Sequence, residues 1–159
     1  MGVYRVGLLP SASVDRSQAD EFAIPKNTGQ IYYSPVRYDQ TTGEPLMTIA
    51  IPIVDLQTGL VDGVLVAATR IKTVWDLIAG IRVSPGQNVY IVSAEGNVVA
   101  HRNPSVVLRG STFVVPKQQG VQTGLSGEQV VLAFDTMTLG QQQFSIISER
   151  TVAEALALA

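Results

Sequence analysis

Apolar and polar residues alternate along several short stretches of the chain, a pattern typical of β-strands with one buried face. Aromatic and β-branched residues dominate residues 30–38, where Pro35 indicates an edge strand or a bulge because proline has no N–H to donate. Residues 45–54 carry apolar side chains at alternate positions, and residues 61–69 are almost wholly apolar, which predicts a central strand covered on both faces. Turn-forming residues separate the three stretches, so we predict an antiparallel meander.

One stretch has the spacing of an amphipathic helix. Apolar residues between Ile71 and Arg82 recur every three to four positions, which gives a helix one apolar face. Trp75 lies on that face, and we interpret it as a core anchor rather than as a platform for a ligand. The dipeptide Pro85-Gly86 predicts the end of the helix.

The strand pattern returns after this helix. Residues 88–93 and 97–101 predict a strand pair whose short loop places Gly96 where positive φ is needed. Two further strands are predicted at 129–135 and 142–148, and the residues between the two pairs follow no clear pattern.

The last residues predict the start of a helix. Thr151 and Glu154 have the spacing of a capping box, and alanines and leucines follow as far as Ala159. No helix-ending residue follows, so we expect the natural protein to continue. Residues 3–9 predict a strand directly after Met1-Gly2, and we interpret the chain as an excised piece of a longer protein.

Composition and charge exclude several functions. Hydrophobic residues make up 46% and charged residues 15% of the chain, as in a folded domain. The formal charge is −2, and no basic stripe with interleaved aromatic residues occurs, so no nucleic-acid partner is expected. The chain has no cysteine and one histidine, and it lacks nucleotide-binding and hydrolase motifs. We predict neither cofactor, metal site nor catalytic activity.

Several runs of residues, in their order and spacing, resemble the double Cache sensor family. These runs are residues 33–36, 42–52, 62–67, 74–78, 90–101 and 142–154. The resemblance implies an α+β fold of antiparallel PAS-like (Cache) sheets, in which a partial first lobe and a second lobe are joined by a helix. Residues 1–70 correspond to the C-terminal part of the membrane-distal lobe, 71–86 to the linking helix, and 87–159 to the membrane-proximal lobe with the start of an exit helix. The long N-terminal helix of the family is absent from the chain.

The resemblance also implies a function. Such regions are extracytoplasmic small-molecule sensors of transmembrane receptors, upstream of histidine kinase, chemoreceptor or nucleotide cyclase modules. No apolar run approaches the ~20 residues of a membrane-spanning helix, so membrane attachment would come from flanking segments. A homodimer is expected in the full-length receptor. The alternative is a structural or dimerisation module without a ligand, in which a bare strand edge pairs with another chain.

Candidate ligand-binding residues in the first half lie on the predicted strand 30–38. Tyr33 and Arg37 share one face of an alternating strand, and with Tyr38 they provide hydroxyl and guanidinium groups suited to a carboxylate. The alternative is that Tyr33 packs in the core and Arg37 is solvated. Amino-acid-binding members of the family carry an aspartate before the linking helix, and residues 66–70 contain no acid, so the resemblance disfavours an amino-acid ligand.

Candidates in the second half are Tyr90, His101 and Phe134. They could line a pocket of the second lobe, whereas in the alternative Tyr90 and Phe134 are plain core residues. A single histidine cannot form a metal site, and a hydrogen-bonded structural role suits His101 better. We interpret Asp135 as a turn cap at a strand end. We interpret three further acidic residues as part of a solvated loop: Asp15, Asp20 and Glu21.

Overall fold

The computed structural model describes residues 15–81, 83–84 and 86–157. The predicted strand 3–9, the predicted helix end at Arg82 and Pro85, and the end of the chain at Ala159 lie outside these residues. The chain divides into two compact units, Met1–Ser34 with Thr48–Ala68 and Pro35–Met47 with Thr69–Ala159.

The described elements follow one another in this order: α1 (Asp20–Thr28), β1 (Tyr32–Tyr33), β2 (Arg37–Tyr38), β3 (Pro45–Val54), β4 (Val61–Arg70), α2 (Lys72–Gly80), β5 (Gln87–Ser93), β6 (Val98–His101), α3 (Pro104–Leu108), β7 (Gly120–Thr123), β8 (Gln129–Leu139), β9 (Gln142–Thr151) and α4 (Val152–Leu156). The predicted α+β class with antiparallel sheets is confirmed. None of the described helices is both long and apolar enough to cross a bilayer.

The first sheet is built around β3, which pairs with β1, β2 and β4. The predicted single strand over residues 30–38 is wrong in one respect, because it is interrupted between Tyr33 and Arg37. Pro35 lies in the interruption and has no N–H for the ladder. The Ser34 hydroxyl accepts a hydrogen bond from the Thr48 N–H at 2.9 Å, so a side chain continues the pairing there.

Strand β4 corrects the prediction of a centrally placed, covered strand. Within the described residues it pairs only with β3, and most of its side chains are exposed, including Leu65 at 59%. Apolar composition shows that both faces of a strand can be buried. Which elements cover those faces depends on tertiary contacts, which composition does not record.

Helix α1 corrects the prediction of a solvated loop. Asp20 and Glu21 lie in its first turn, where acidic side chains interact favourably with the positive end of the helix dipole. The Glu21 carboxylate forms an exposed ion pair with Arg16 at 2.7 Å. The sequence did not predict this helix, because Pro25 lies inside it and its apolar periodicity is weak.

The predicted amphipathic helix is confirmed as α2, which ends at Gly80, two residues before the predicted end. Trp75 and Ile78 are its buried residues. The indole N–H of Trp75 donates to the Val99 carbonyl at 2.8 Å. Trp75 is therefore a core anchor, as predicted, and its one polar atom is satisfied.

The second sheet has the order β6-β5-β9-β8-β7 with antiparallel pairs. All four strands predicted in this half are present, and the short strand β7 was not predicted. Strand β8 continues to Leu139, so Asp135 lies inside it opposite Ile146 and does not cap a turn. Its carboxylate instead accepts the N–H of Thr136 at 2.8 Å. After Asp135, threonines alternate with Met137 and Leu139, and all four residues pair with β9, so the strand end was predicted too early.

The exit helix begins as the capping-box spacing predicts. Thr151 is the N-cap of α4, and its hydroxyl accepts the Glu154 N–H at 3.4 Å and donates to the Glu154 carboxylate at 2.6 Å. Since Thr151 is also the last residue of β9, no loop separates the strand from the helix.

Candidate functional site

The first-half candidates lie on two short strands. Tyr33, on β1, is half-buried and belongs to the first compact unit, whereas Arg37 and Tyr38, on β2, belong to the second. Arg37 is exposed. The shared carboxylate site of Tyr33 and Arg37 stays a prediction.

Tyr38 packs against the core of the second unit. Its hydroxyl oxygen is buried and has no hydrogen-bond partner among the described residues. Burial raises the pKa of Tyr38, and the Glu95 carboxylate adds to the effect. Tyr38 is therefore a neutral hydroxyl that can still donate a hydrogen bond.

The structure brings Tyr90 and His101 together. They are directly paired between β5 and β6, and their ring centroids lie 5.9 Å apart. Tyr90 is completely buried, and its hydroxyl donates to the Glu149 carboxylate at 2.9 Å. Burial raises the pKa of Tyr90 far above its ordinary value, and Glu149 raises it further. Because Tyr90 is fully buried and its hydroxyl is already hydrogen-bonded, it is a core residue.

Glu149 is the buried charged residue that sequence analysis missed. It is 3% exposed, and its Oε2 accepts hydrogen bonds from the Tyr90 hydroxyl and from the Leu125 N–H, the latter at 3.1 Å. The salt bridges among the described residues do not involve it. The adjacent Ile146 and Ile147 leave the inward face of this strand undecided in the sequence, and so nothing local marks Glu149 as buried.

His101 is buried and held by the backbone. Its Nδ1 accepts the N–H of Asn103 at 2.9 Å. Burial lowers the pKa of His101, although the Asn103 backbone and Glu149 act in the opposite direction. The ring is therefore neutral at pH 7, which fits the structural role.

A cleft of about 360 Å³ opens on the second unit beyond this core. Strands β8 and β9 place Thr136 directly opposite Ser145 in its wall. Ser93 at the end of β5, Glu95 in the following turn and Gln143 on β9 also line it. Phe134, the remaining predicted candidate, lies one cross-strand row away, half-buried and opposite Ile147.

Sequence analysis identified the turn at Ala94–Gly96 but assigned no chemistry to Ser93 or Glu95. The sequence Ser-Ala-Glu-Gly is ordinary turn chemistry. The position of this turn beside Thr136 and Ser145 depends on the β5–β9 pairing, which joins residues some fifty positions apart, and no local pattern indicates it.

Comparisons with known proteins agree with the fold. The family model described as Cache domain (dCache_1) matches residues 5–159. No curated protein sequence matches the chain significantly. The family-model match over residues 5–159 confirms the resemblance seen in the sequence.

Solved structures with the same fold include bacterial receptor domains. The ligand-binding domain of the Pseudomonas aeruginosa amino acid chemoreceptor PctC, in complex with GABA, superposes with a TM-score of 0.68 at 14% identity, over 91% of this chain and 65% of that one. The PctB domain of the same organism, with L-Arg, gives 0.61 at 17% identity over 99% and 67%. The periplasmic sensory domain of Campylobacter jejuni Tlp1 gives 0.57 at 14% identity over 80% and 51%. The chain thus spans 65% of the PctC domain.

Proposed function

The chain belongs to the Cache domain family, and from this membership we propose that it is the small-molecule sensor region of a transmembrane receptor, on the extracytoplasmic side. Residues 1–70 form the C-terminal part of the membrane-distal lobe, 71–86 the linking segment, and 87–159 the membrane-proximal lobe. The receptor is a homodimer anchored by segments flanking this chain. Its output is a kinase, cyclase or chemotaxis module, and this region itself is not catalytic.

The observation that carries the proposal, beside the family match over residues 5–159, is the direct passage from β9 into α4. Thr151 ends the strand and caps the helix. A shift of β9 therefore reaches the helix without passing through a flexible loop. A ligand moves this equilibrium only by preferring one arrangement, and ~1.4 kcal/mol of preference changes the populations tenfold.

A carboxylate is the first ligand class to consider for Arg37 on β2. A guanidinium binds a carboxylate through charge-assisted hydrogen bonds. The exposure of Arg37 supports this assignment, whereas the neighbouring Tyr38 points to the other face of β2 and its hydroxyl is inaccessible.

The proposal is tested by screening the chain against carboxylates, amino acids, amines and sugars with thermal shift. A true ligand raises Tm in a saturable way, by ~2.7 kcal/mol of added stability at a hundredfold excess over its Kd. Amide NMR shifts at residues 151–156 then report whether the start of α4 responds. Arg37→Gln should abolish a carboxylate response, whereas Arg16→Gln, at another exposed arginine, should not. If no compound in any class raises Tm, the sensor proposal is wrong.

The second candidate is a dimerisation module without a ligand. Strand β4 favours it, because Leu65 and Val66 are 59% and 38% exposed on a strand that pairs only with β3 in the described part of the chain. Sedimentation velocity of the wild type and of Leu65→Lys tests it. A dimer that Leu65→Lys dissociates, together with a negative ligand screen, would support this candidate over the sensor.

A further inference from the structure

The cleft of the second unit begins where the core face of its sheet changes from apolar to hydroxyl side chains. On β8 and β9, Phe134 opposes Ile147, and the next row on the same face is Thr136 opposite Ser145. Because side chains alternate along a strand, these rows point to the same side. A pair of hydroxyls therefore stands where the pattern of the core would place two more apolar residues.

Ser93 lines the cleft at the end of β5, but its side chain is buried. It is 7% exposed, and its Oγ makes no hydrogen bond among the described residues. The hydroxyl is close enough to lower the pKa of Glu95, yet the two groups do not reach ordinary hydrogen-bond geometry. Because this oxygen has almost no accessible surface, and because Ser93 pairs with Phe144 rather than with Ser145, the hydroxyl is not one of the groups that a molecule in the cleft contacts.

The charge of the cleft comes from one residue. Glu95 is the single ionisable side chain among the lining residues, which include no lysine, arginine or histidine. The nearby Ser93 hydroxyl and a backbone N–H lower its pKa, so it is a carboxylate at neutral pH. A cation is therefore attracted to this cleft and an anion is repelled.

We propose that this cleft is a ligand site for small amines that carry hydroxyl groups. The Glu95 carboxylate accepts hydrogen bonds from the ammonium group, while Thr136 and Ser145 exchange hydrogen bonds with the hydroxyls, and the Gln143 amide can serve either. The volume of about 360 Å³ is at the lower end of the range for small-molecule sites and accommodates a single sugar ring.

This inference rests on the proposed sensor function and deepens it, because the site lies on the strand that leads to the exit helix. Gln143 and Ser145 line the cleft near the start of β9, and Thr151 at its end caps α4. The six residue steps from Ser145 to Thr151 span roughly 20 Å of paired strand.

The test is an NMR titration of the whole chain with three sugars of matched size, glucosamine, glucose and glucuronate. A fourth sugar, the neutral N-acetylglucosamine, is titrated as well. Glucosamine should shift the amide signals of Ser93, Glu95, Thr136 and Ser145 with saturation, and its Kd should be about tenfold lower than that of glucose or of N-acetylglucosamine, which lacks the charge. Ethanolamine serves as a smaller ammonium probe and should shift the same signals.

Two variants locate the charge. Glu95→Gln should weaken glucosamine binding about tenfold, because the neutral amide loses the charge-assisted hydrogen bond. Glu128→Gln, in another exposed hairpin turn, is the matched control and should leave the affinity unchanged. The neutral N-acetylglucosamine comparison makes the same test in the unaltered chain, so it does not depend on how a variant folds.

The inference is overturned if neither ammonium probe shifts the cleft signals. It is equally overturned if glucuronate or glucose binds as tightly as glucosamine, or if Glu95→Gln has no effect. Should the broader screen then find a ligand whose shifts lie elsewhere, the sensor function stands and the cleft assignment alone fails. When no compound of any class binds, both fail together.

Discussion

The two sheets of this protein use similar apolar strands with different results. In the five-stranded sheet, the side chains of Tyr90, Leu132 and Ile147 are no more than 1% exposed. On β3 and β4 of the other sheet, Ile53 and Leu65 are 54% and 59% exposed. An alternating or apolar run therefore predicts a strand in both places, but burial depends on what packs against it. Stability and substitution effects should accordingly be concentrated in the five-stranded sheet and its helices.

The largest expected difference comes from removing a large side chain in each region. Trp75→Ala should lower the free energy of unfolding by about 3–5 kcal/mol, since it leaves a cavity and frees the Val99 carbonyl. Leu65→Ala should change it by no more than about 0.5 kcal/mol because the side chain is exposed. Urea unfolding followed by far-UV circular dichroism measures both. Equal losses would contradict the contrast between the two sheets.

A buried polar group should have the next largest effect. Glu149→Ala leaves the Tyr90 hydroxyl and the Leu125 N–H without their acceptor, and we expect a loss of about 2–3 kcal/mol. Glu149→Gln keeps an acceptor oxygen and should lose less. Glu128→Ala, at an exposed turn, is the control and should be nearly neutral. A Glu149→Ala variant as stable as this control would show that the two hydrogen bonds contribute little.

Two glycines outside the positive-φ region sharpen the comparison further. A Cβ at Gly124 would lie 2.8 Å from both the Glu149 carboxylate and a Val130 methyl group, so Gly124→Ala should destabilise by about 1–2 kcal/mol. At Gly63 on β4, the nearest atom would be 3.7 Å away, and Gly63→Ala should stabilise by about 0.5 kcal/mol. Thermal unfolding compares the pair, and a Gly124→Ala variant at least as stable as the wild type would argue against a tight fit at Gly124.

The smallest expected effect is a pH dependence from the five-stranded sheet. The folded pKa of His101 is lowered below its ordinary 6.5, mainly by burial. Below pH 6.5 the unfolded chain therefore binds a proton that the folded chain resists, and stability is full above pH 6.5 and falls as the pH drops. One proton limits the slope to about 1.4 kcal/mol per pH unit. Glu149 and Arg102 are the charges that act on the ring.

Urea unfolding between pH 7.5 and 5.5 measures this slope before most carboxylates titrate. His101→Asn keeps an acceptor for the Asn103 N–H but has no titrating ring, and it should remove the slope. A slope that persists in His101→Asn would assign the pH dependence to another group.

Local patterns in the sequence predicted much of the fold. The turn predicted between residues 38 and 45 is present, where the Asp39 carboxylate accepts the N–H groups of Thr41 and Thr42, and the predicted cap at Thr151 is confirmed in α4. These features need only residues within a few positions of one another. Helix α1, which contains Pro25 and lacks strong periodicity, and the four-residue strand β7 have no such local pattern and were missed.

The candidate site was less predictable. The pairing of Tyr90 with His101 follows from a hairpin, and both residues were singled out from the sequence. Glu149 was not, because its burial depends on the register between β5, β8 and β9. Ser93 and Glu95 likewise line a cleft only because β8 and β9 bring Thr136 and Ser145 beside them.

The sequence by itself therefore determined most of the strands, the turns, the helices α2 and α4 and the family, since hydrophobic periodicity and capping act over a few residues. The tertiary structure alone decided which apolar strands are covered, where the carboxylate of Glu149 is buried, and that hydroxyls meet at the cleft. Burial and cross-strand contact are set by residues far apart in the chain, and no short stretch of sequence contains that information.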